Sequence, residues 1–163
     1  MLENAKYRYL NVIVFRGGAK TTLLRTYTAK RIAYGISRTI LYVGASEPHA
    51  VRSIQWLRTQ VDKNVRFSSA FGLSPGRKWQ ENEIEISRGI DGTGAWVLGV
   101  GITSNSLRGI NFDDYRPDTI IIDDAINDEN AATAEQRLKI RDLILGALKE
   151  SLAPESEEPN AKL

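Results

Sequence analysis

Two short stretches carry side chains whose types and spacing could do chemistry together. The first is FRGGAKTT (15–22), where paired glycines precede a lysine and two threonines. The second is DTIIIDD (118–124), an apolar run ending in paired aspartates, Asp123 and Asp124. Backbone N–H groups freed to turn outward at Gly17 and Gly18, followed by a helix N-terminus, make a cradle for an anion. Within it Lys20 would reach the β- and γ-phosphates of a nucleotide as a point charge, and the Thr21 hydroxyl would ligate Mg2+. The usual cradle reads G-x-x-x-x-G-K-[ST]. Here Val14 and Ala19 stand where its two outer glycines belong. Ala19 is tolerable at its position if the local φ is negative. The plain alternative is a Gly-Gly turn leading into a helix that happens to begin with Lys-Thr.

A Mg·nucleotide site also needs a carboxylate at the end of a neighbouring strand, usually acting through water. Asp123 would serve the metal, and Asp124 would orient or deprotonate the attacking water. Glu129, in DDAINDEN, could instead reach in from the loop. Asp124 is preferred for its reach to an in-line water. Paired aspartates often do no more than end a strand. That reading is weaker after an apolar run that lies downstream of a Lys-Thr loop.

The elements that must position these groups are legible from periodicity. LNVIVF (10–15) is β-rich and bounded by glycines, which predicts a buried strand. Residues 20–35 predict a helix, with Leu24, Thr28 and Ile32 a turn apart and Gly35 as its stop. TILYVGA (39–45) reads as a second buried strand. Glu47-Pro48 opens a second helix whose stripe is Val51, Ile54, Leu57 and Val61. FGLSPGRKWQ (71–80) reads as a loop. NEIEIS (82–87) and AWVLGVGI (95–102) form a hairpin around the Asp-Gly turn of RGIDGTG. SNSLRGINFDDYRP (104–117) is a loop before the DTIIIDD strand. Thr133 and Gln136 make a capping-box pattern opening a last helix with Ile140, Ile144, Ala147 and Leu148 inward. SLAPESEEPN (151–160) reads as an exposed segment. Alternating strands and helices predict an α/β fold with a largely parallel central sheet flanked by helices.

Composition bounds the chemistry further. The 163 residues suit one domain. With no Cys and one His, thiolate chemistry and multi-histidine metal sites are excluded, leaving Lys, Arg, Asp, Glu, Ser and Thr. No apolar run is long enough for a membrane span, and MLENAKYRYL lacks the layout of a secretory signal. These absences point to a cytoplasmic protein. Net charge is only +2, yet residues 1–110 carry +9 and residues 111–163 carry −7. The basic part suits a phosphate-bearing partner, and the later acids could hold a cation.

Taken in order, these stretches resemble the ATPase half of tailed-phage large terminases, the motors that pump DNA into procapsids. FRGGAKTT resembles the terminase phosphate loop, in which Arg occupies the loop and the first Gly is dispensable. LYVGASEPHA (41–50) resembles the strand and small-residue turn after the first helix. LRGINFDDYRPDTIIIDDAINDEN (107–130) is the most specific piece. The match covers roughly residues 10–150.

The resemblance implies a P-loop ATPase of the additional-strand type, spanning 1–163 as a single incomplete domain. ATP and Mg2+ would be held by Arg16, Gly17, Gly18, Ala19, Lys20, Thr21, Thr22 and Asp123, with Asp124 at the water. Arg16 matches the loop arginine that senses or stabilises the γ-phosphate, and an ion pair at a strand end is its plain alternative. Arg108 falls on the family's Arg-Gly and would face phosphate or a neighbouring subunit. Partners implied are double-stranded DNA, the portal and small terminase subunit, and sister subunits in a homo-oligomeric ring. The setting implied is the cytoplasm of a bacterial host. AKL at the end resembles the start of the coupling strand, and the nuclease domain is lacking. Candidates for DNA-phosphate contact are Arg52, Arg58 and the pair Arg77-Lys78 beside Trp79. Competing expectations are a helicase-like ATPase of the same broad fold and a non-catalytic fragment that binds nucleotide or a partner.

Overall fold

The computed structural model describes residues 7–15, 17–103, 107, 110, 112–126 and 130–163. Its centre is β1 (Thr39–Gly44), whose residues after Thr39 are apolar apart from the Tyr42 hydroxyl and which is buried at every residue. The strand period of two sends Ile40 and Tyr42 to one face of the sheet and Leu41 and Val43 to the other. A strand buried on both faces needs cover on both, and helices supply it. On the first face lie α1 (Lys20–Ala33), α2 (Glu47–Lys63) and α3 (Val65–Phe71). On the second lie α4 (Ala134–Asp142), a π-helical stretch Leu143–Leu148 and the closing turn Lys149–Ser151.

Five strands form the sheet in the order β2-β3-β4-β1-β5. β4 (Gly94–Gly101) and β5 (Thr119–Ile122) flank β1, both parallel to it. β3 (Glu83–Arg88) pairs antiparallel with β4, and β2 (Leu73–Trp79) antiparallel with β3. The sheet is therefore mixed rather than largely parallel. The expectation failed at 71–80, taken as a loop because Pro75 and Gly76 disfavour strands. Both are tolerated there because β2 is an edge strand with a register shift between Pro75 and Trp79. The short α3 was also missed; it starts where the Asn64 side chain accepts from the Phe67 N–H at 3.2 Å.

A second correction concerns residues 10–15. They form no strand, and Ile13 and Phe15 are 89% and 81% exposed. Beyond β5 the sheet continues only as isolated rungs. Lys162 bridges Thr119 in parallel, and Leu163 exchanges hydrogen bonds with Arg8 and Leu10. Past Leu10 the segment's backbone bond is local, Gly18 N–H donating back to the Phe15 carbonyl at 3.0 Å rather than to a strand, so β propensity alone does not make it a strand.

Three contacts fix the elements that matter for the site. Asp118 is buried and accepts from the Arg38 and Thr39 N–H groups at 2.6 and 3.0 Å, which locks the β5 register against β1. Fully buried Arg31 anchors the far end of α1 by donating to Ser37 Oγ and the Asn160 carbonyl at 2.7 and 2.6 Å. At Gly99 an added Cβ would stand 2.9 Å from Ile54 Cγ1, so β4 admits α2 at close range only because a side chain is missing there.

The capping box of α4 is present: Gln136 N donates to Thr133 Oγ1 at 3.2 Å, and Thr133 N donates to Gln136 Oε1 at 3.0 Å. Ile140 is the one buried residue of α4, so core burial anchors this helix weakly and the cap matters. Thr133→Ala is expected to lower unfolding free energy by about 1 kcal/mol in denaturant titration. The inward stripe is partly as expected. Ile140 and Leu148 are buried, whereas Ile144 and Ala147 are half-buried because the wider π turn shifts the phase. Residues 155–157 are exposed, but Leu152 and Ala153 belong to the core, contrary to the reading of 151–160 as wholly exposed. Among the described residues no helix is long and apolar enough to cross a membrane.

Candidate functional site

The N-terminus of α1 and the carboxyl end of β5 meet at one edge of the sheet. Parallel pairing with β1 carries Asp123 just past the last β5 residue, where its N–H donates to the Val43 carbonyl at 2.9 Å. Open α/β sheets present ligand sites in this position, at strand carboxyl ends beside helix N-termini.

The loop reaches the helix through left-handed backbone. Gly17 has φ +86° and Ala19 φ +56°, ψ +28°. The condition that Ala19 adopt negative φ is not met, so its Cβ costs about 1 kcal/mol there. Ala19→Gly is expected to stabilise the fold by about that amount, read as a raised midpoint in thermal or denaturant unfolding. Ala19 supplies no side-chain cap, and α1 has no acidic residue in its first turn. The first N–H groups of the helix and its positive dipole end are therefore not neutralised from within α1.

Lys20 occupies the first helical position, where a cation is electrostatically misplaced unless an anion stands close. Here the anion is Asp124: Lys20 Nζ lies 2.9 Å from its Oδ1. Asp124 itself has φ +51°, a conformation aspartate tolerates better than most residues. One residue along, the Thr21 hydroxyl donates to Asp123 Oδ1 at 3.3 Å. The other oxygen of Asp123 accepts from the Tyr42 phenol at 2.9 Å. Asp123 is buried, whereas the Asp124 side chain is 71% exposed. Thr22 is exposed in the first turn. Arg16, Arg108 and Glu129 lie outside the described residues.

Four contributors were not read from the sequence. Tyr42 is buried, and burial pushes its phenol above the ordinary range, with the adjacent Asp123 charge acting the same way. It therefore stays protonated as a donor. Ser53 of α2 is packed beside Tyr42, and Arg25 Nε of α1 donates to Ser53 Oγ at 3.0 Å. Asn130 Nδ2 donates to the carbonyls of Ala125 and Ala45 at 2.8 and 3.4 Å, tying together the loops that leave β5 and β1. A signal existed for Tyr42. A lone phenol in an otherwise aliphatic strand must find a partner for its hydroxyl.

The residues present suit a hard cation. Asp123 and Thr21 bring only oxygen donors, as Mg2+ prefers. Among the described residues no cluster of three or more carboxylate, His or Cys side chains could hold a metal. Among the described residues the protein side is thus one carboxylate and one hydroxyl, and phosphate oxygens and water would complete the shell.

The basic residues named for DNA contact are mostly engaged within the chain. Arg77 stands 3.7 Å from Glu85, and Lys78 stands 2.8 Å from Glu83 while lying over the Trp96 ring. Arg58 lies over Trp79. Arg52 is exposed on α2. Elsewhere, a groove of about 330 Å3 lined by Ala29, Ala33, Tyr34, Trp56 and Phe71 lies along the C-terminal half of α1, at the opposite end of the helix from Lys20. Compared with family models, curated proteins and solved structures, the chain finds no match.

Proposed function

We propose that this chain is a P-loop ATPase domain of the additional-strand type, and that it serves as the motor part of a terminase-like DNA-packaging protein. The observation carrying the reading is the meeting of two sequence-distant pairs: Lys20 with Asp124 at 2.9 Å, and Thr21 with Asp123 at 3.3 Å. A turn that merely happened to read Lys-Thr would have no reason to place both residues on the two carboxylates at a strand end.

In this reading the loop N–H groups and the α1 N-terminus receive the phosphates. Asp123 and Thr21 would hold Mg2+, which supplies charge neutralisation at the phosphates when bound. Lys20 leaves Asp124 for the phosphate oxygens, where the opposing charge is larger. The cost is small, because an ion pair this exposed is worth about 0–1 kcal/mol. Asp124, released, orients the attacking water and accepts its proton. The same contact that closes the resting site thereby sets the order of events, phosphate first and base second.

DNA would be held through its phosphates without sequence reading, by the basic part of the chain. The portal, the small terminase subunit and sister subunits in a ring would be the protein partners, and the bacterial cytoplasm the setting. ATP hydrolysis measured on the purified chain, with and without double-stranded DNA, tests the motor reading. A second reading, nucleotide binding without turnover, is favoured by one observation: residues 11–15 lie outside the sheet, so the loop is anchored firmly only on its α1 side. Tight Mg·ATP binding with no hydrolysis would select it.

A further inference from the structure

Asp123 is held on one oxygen by a buried phenol. Its carboxylate has no proton to give, so the Tyr42 hydroxyl donates to Oδ2 at 2.9 Å. Ser53 of α2 is packed beside the phenol, and its Oγ accepts from Arg25 Nε at 3.0 Å. Tyr42 and Ser53 are each 1% exposed, so water does not compete. Arg25, Ser53 and Tyr42 come from α1, α2 and β1, and Asp123 follows directly on β5.

We infer that Tyr42, with Ser53 packed beside its phenol, is a positioning residue that fixes Asp123 so that a single oxygen, Oδ1 beside Thr21, faces a divalent cation. This rests on the Mg·nucleotide reading of the site. With Oδ2 occupied by the phenol, Asp123 offers one oxygen rather than two. Octahedral Mg2+ or Mn2+ accepts that geometry more readily than a larger ion that favours bidentate carboxylates. Partners that orient a ligating carboxylate typically govern metal affinity by about 10–100-fold.

The test uses Mn2+ as probe, titrated into the purified chain with ADP and followed by electron paramagnetic resonance. Tyr42→Phe removes only the hydroxyl and is expected to weaken Mn2+ binding about tenfold. Ser53→Ala, which leaves the phenol in place, is expected to give a smaller loss and carries the test alone if the Phe variant fails to fold. ADP affinity measured in EDTA should stay within about twofold for both, a split that a general structural role would not produce. Asp123→Asn serves as reference and should abolish Mn2+ binding. If it does so while both positioning variants match the wild type, the inference falls and the site reading stands. If the positioning variants weaken ADP equally in EDTA, they act structurally and the inference is overturned. If the wild type shows no specific Mn2+ binding, or Asp123→Asn binds Mn2+ as the wild type does, the site reading itself fails and takes the inference with it.

Discussion

Replacing Lys20 with alanine is expected to lower kcat/KM for ATP by about 10²–10³-fold, the usual cost of removing a preorganised group that meets charge developing in the transition state. The side chain sits at the first position of α1 with no acid in that turn to balance it. Its resting partner Asp124 is mostly exposed. Neither fact suggests a structural role, so the fold should survive: the pair contributes about 0–1 kcal/mol, and alanine is a better helix former than lysine. Steady-state phosphate release on wild type and variant, with unfolding midpoints measured alongside, gives the comparison. Unchanged turnover in a folded variant would remove Lys20 from the reaction.

Asp124→Asn should separate binding from chemistry. The asparagine keeps the shape of the side chain but cannot take a proton from water, and loss of a positioned general base typically costs about 10²–10⁴-fold in rate. It also releases Lys20 from its ion pair at 2.9 Å before any phosphate arrives. ATP affinity should therefore hold or tighten by a few-fold while kcat collapses, a combination that distinguishes a base from a binding residue. Fluorescent-nucleotide titration and single-turnover hydrolysis on one preparation would read both. A loss of affinity parallel to the loss of rate would place Asp124 among the binding groups instead.

The helix-bearing half of the architecture was legible because its periodicity is unambiguous. β1, α1, α2, β5 and the α4 cap were each marked by an apolar run or a 3.6-residue stripe with recognisable ends. What escaped notice depends on pairing rather than local pattern. β2 carries Pro75 and Gly76 and has only Leu73 buried, so nothing local marks it as a strand; its place comes from β3 beside it. Residues 10–15 fail in the opposite sense, with strand-like composition but, among the described residues, pairing to the sheet only as far as Leu10. The site follows the same division. The Lys-Thr and Asp-Asp pairs announce themselves by type and neighbours, whereas Tyr42, Ser53 and Arg25 look like ordinary members of their elements. Their relation to Asp123 exists only after α2 has packed on β1 and β4. Ala19 shows the limit of composition most sharply: an alanine there is unstrained only at negative φ, which its identity leaves open, and the tight entry into α1 takes the left-handed one.

The claim on which the rest depends is that Thr21 and Asp123 form one cation site for a nucleotide seated at Lys20. The magnesium dependence of ATP binding tests it most directly, measured with a fluorescent ATP analogue on wild type and Asp123→Asn, in Mg2+ and in EDTA. Wild type should bind at least about tenfold more tightly with Mg2+ than without, and Asp123→Asn should show no such difference. Equal affinity in Mg2+ and EDTA for the wild type, or a magnesium effect that survives in Asp123→Asn, would contradict it.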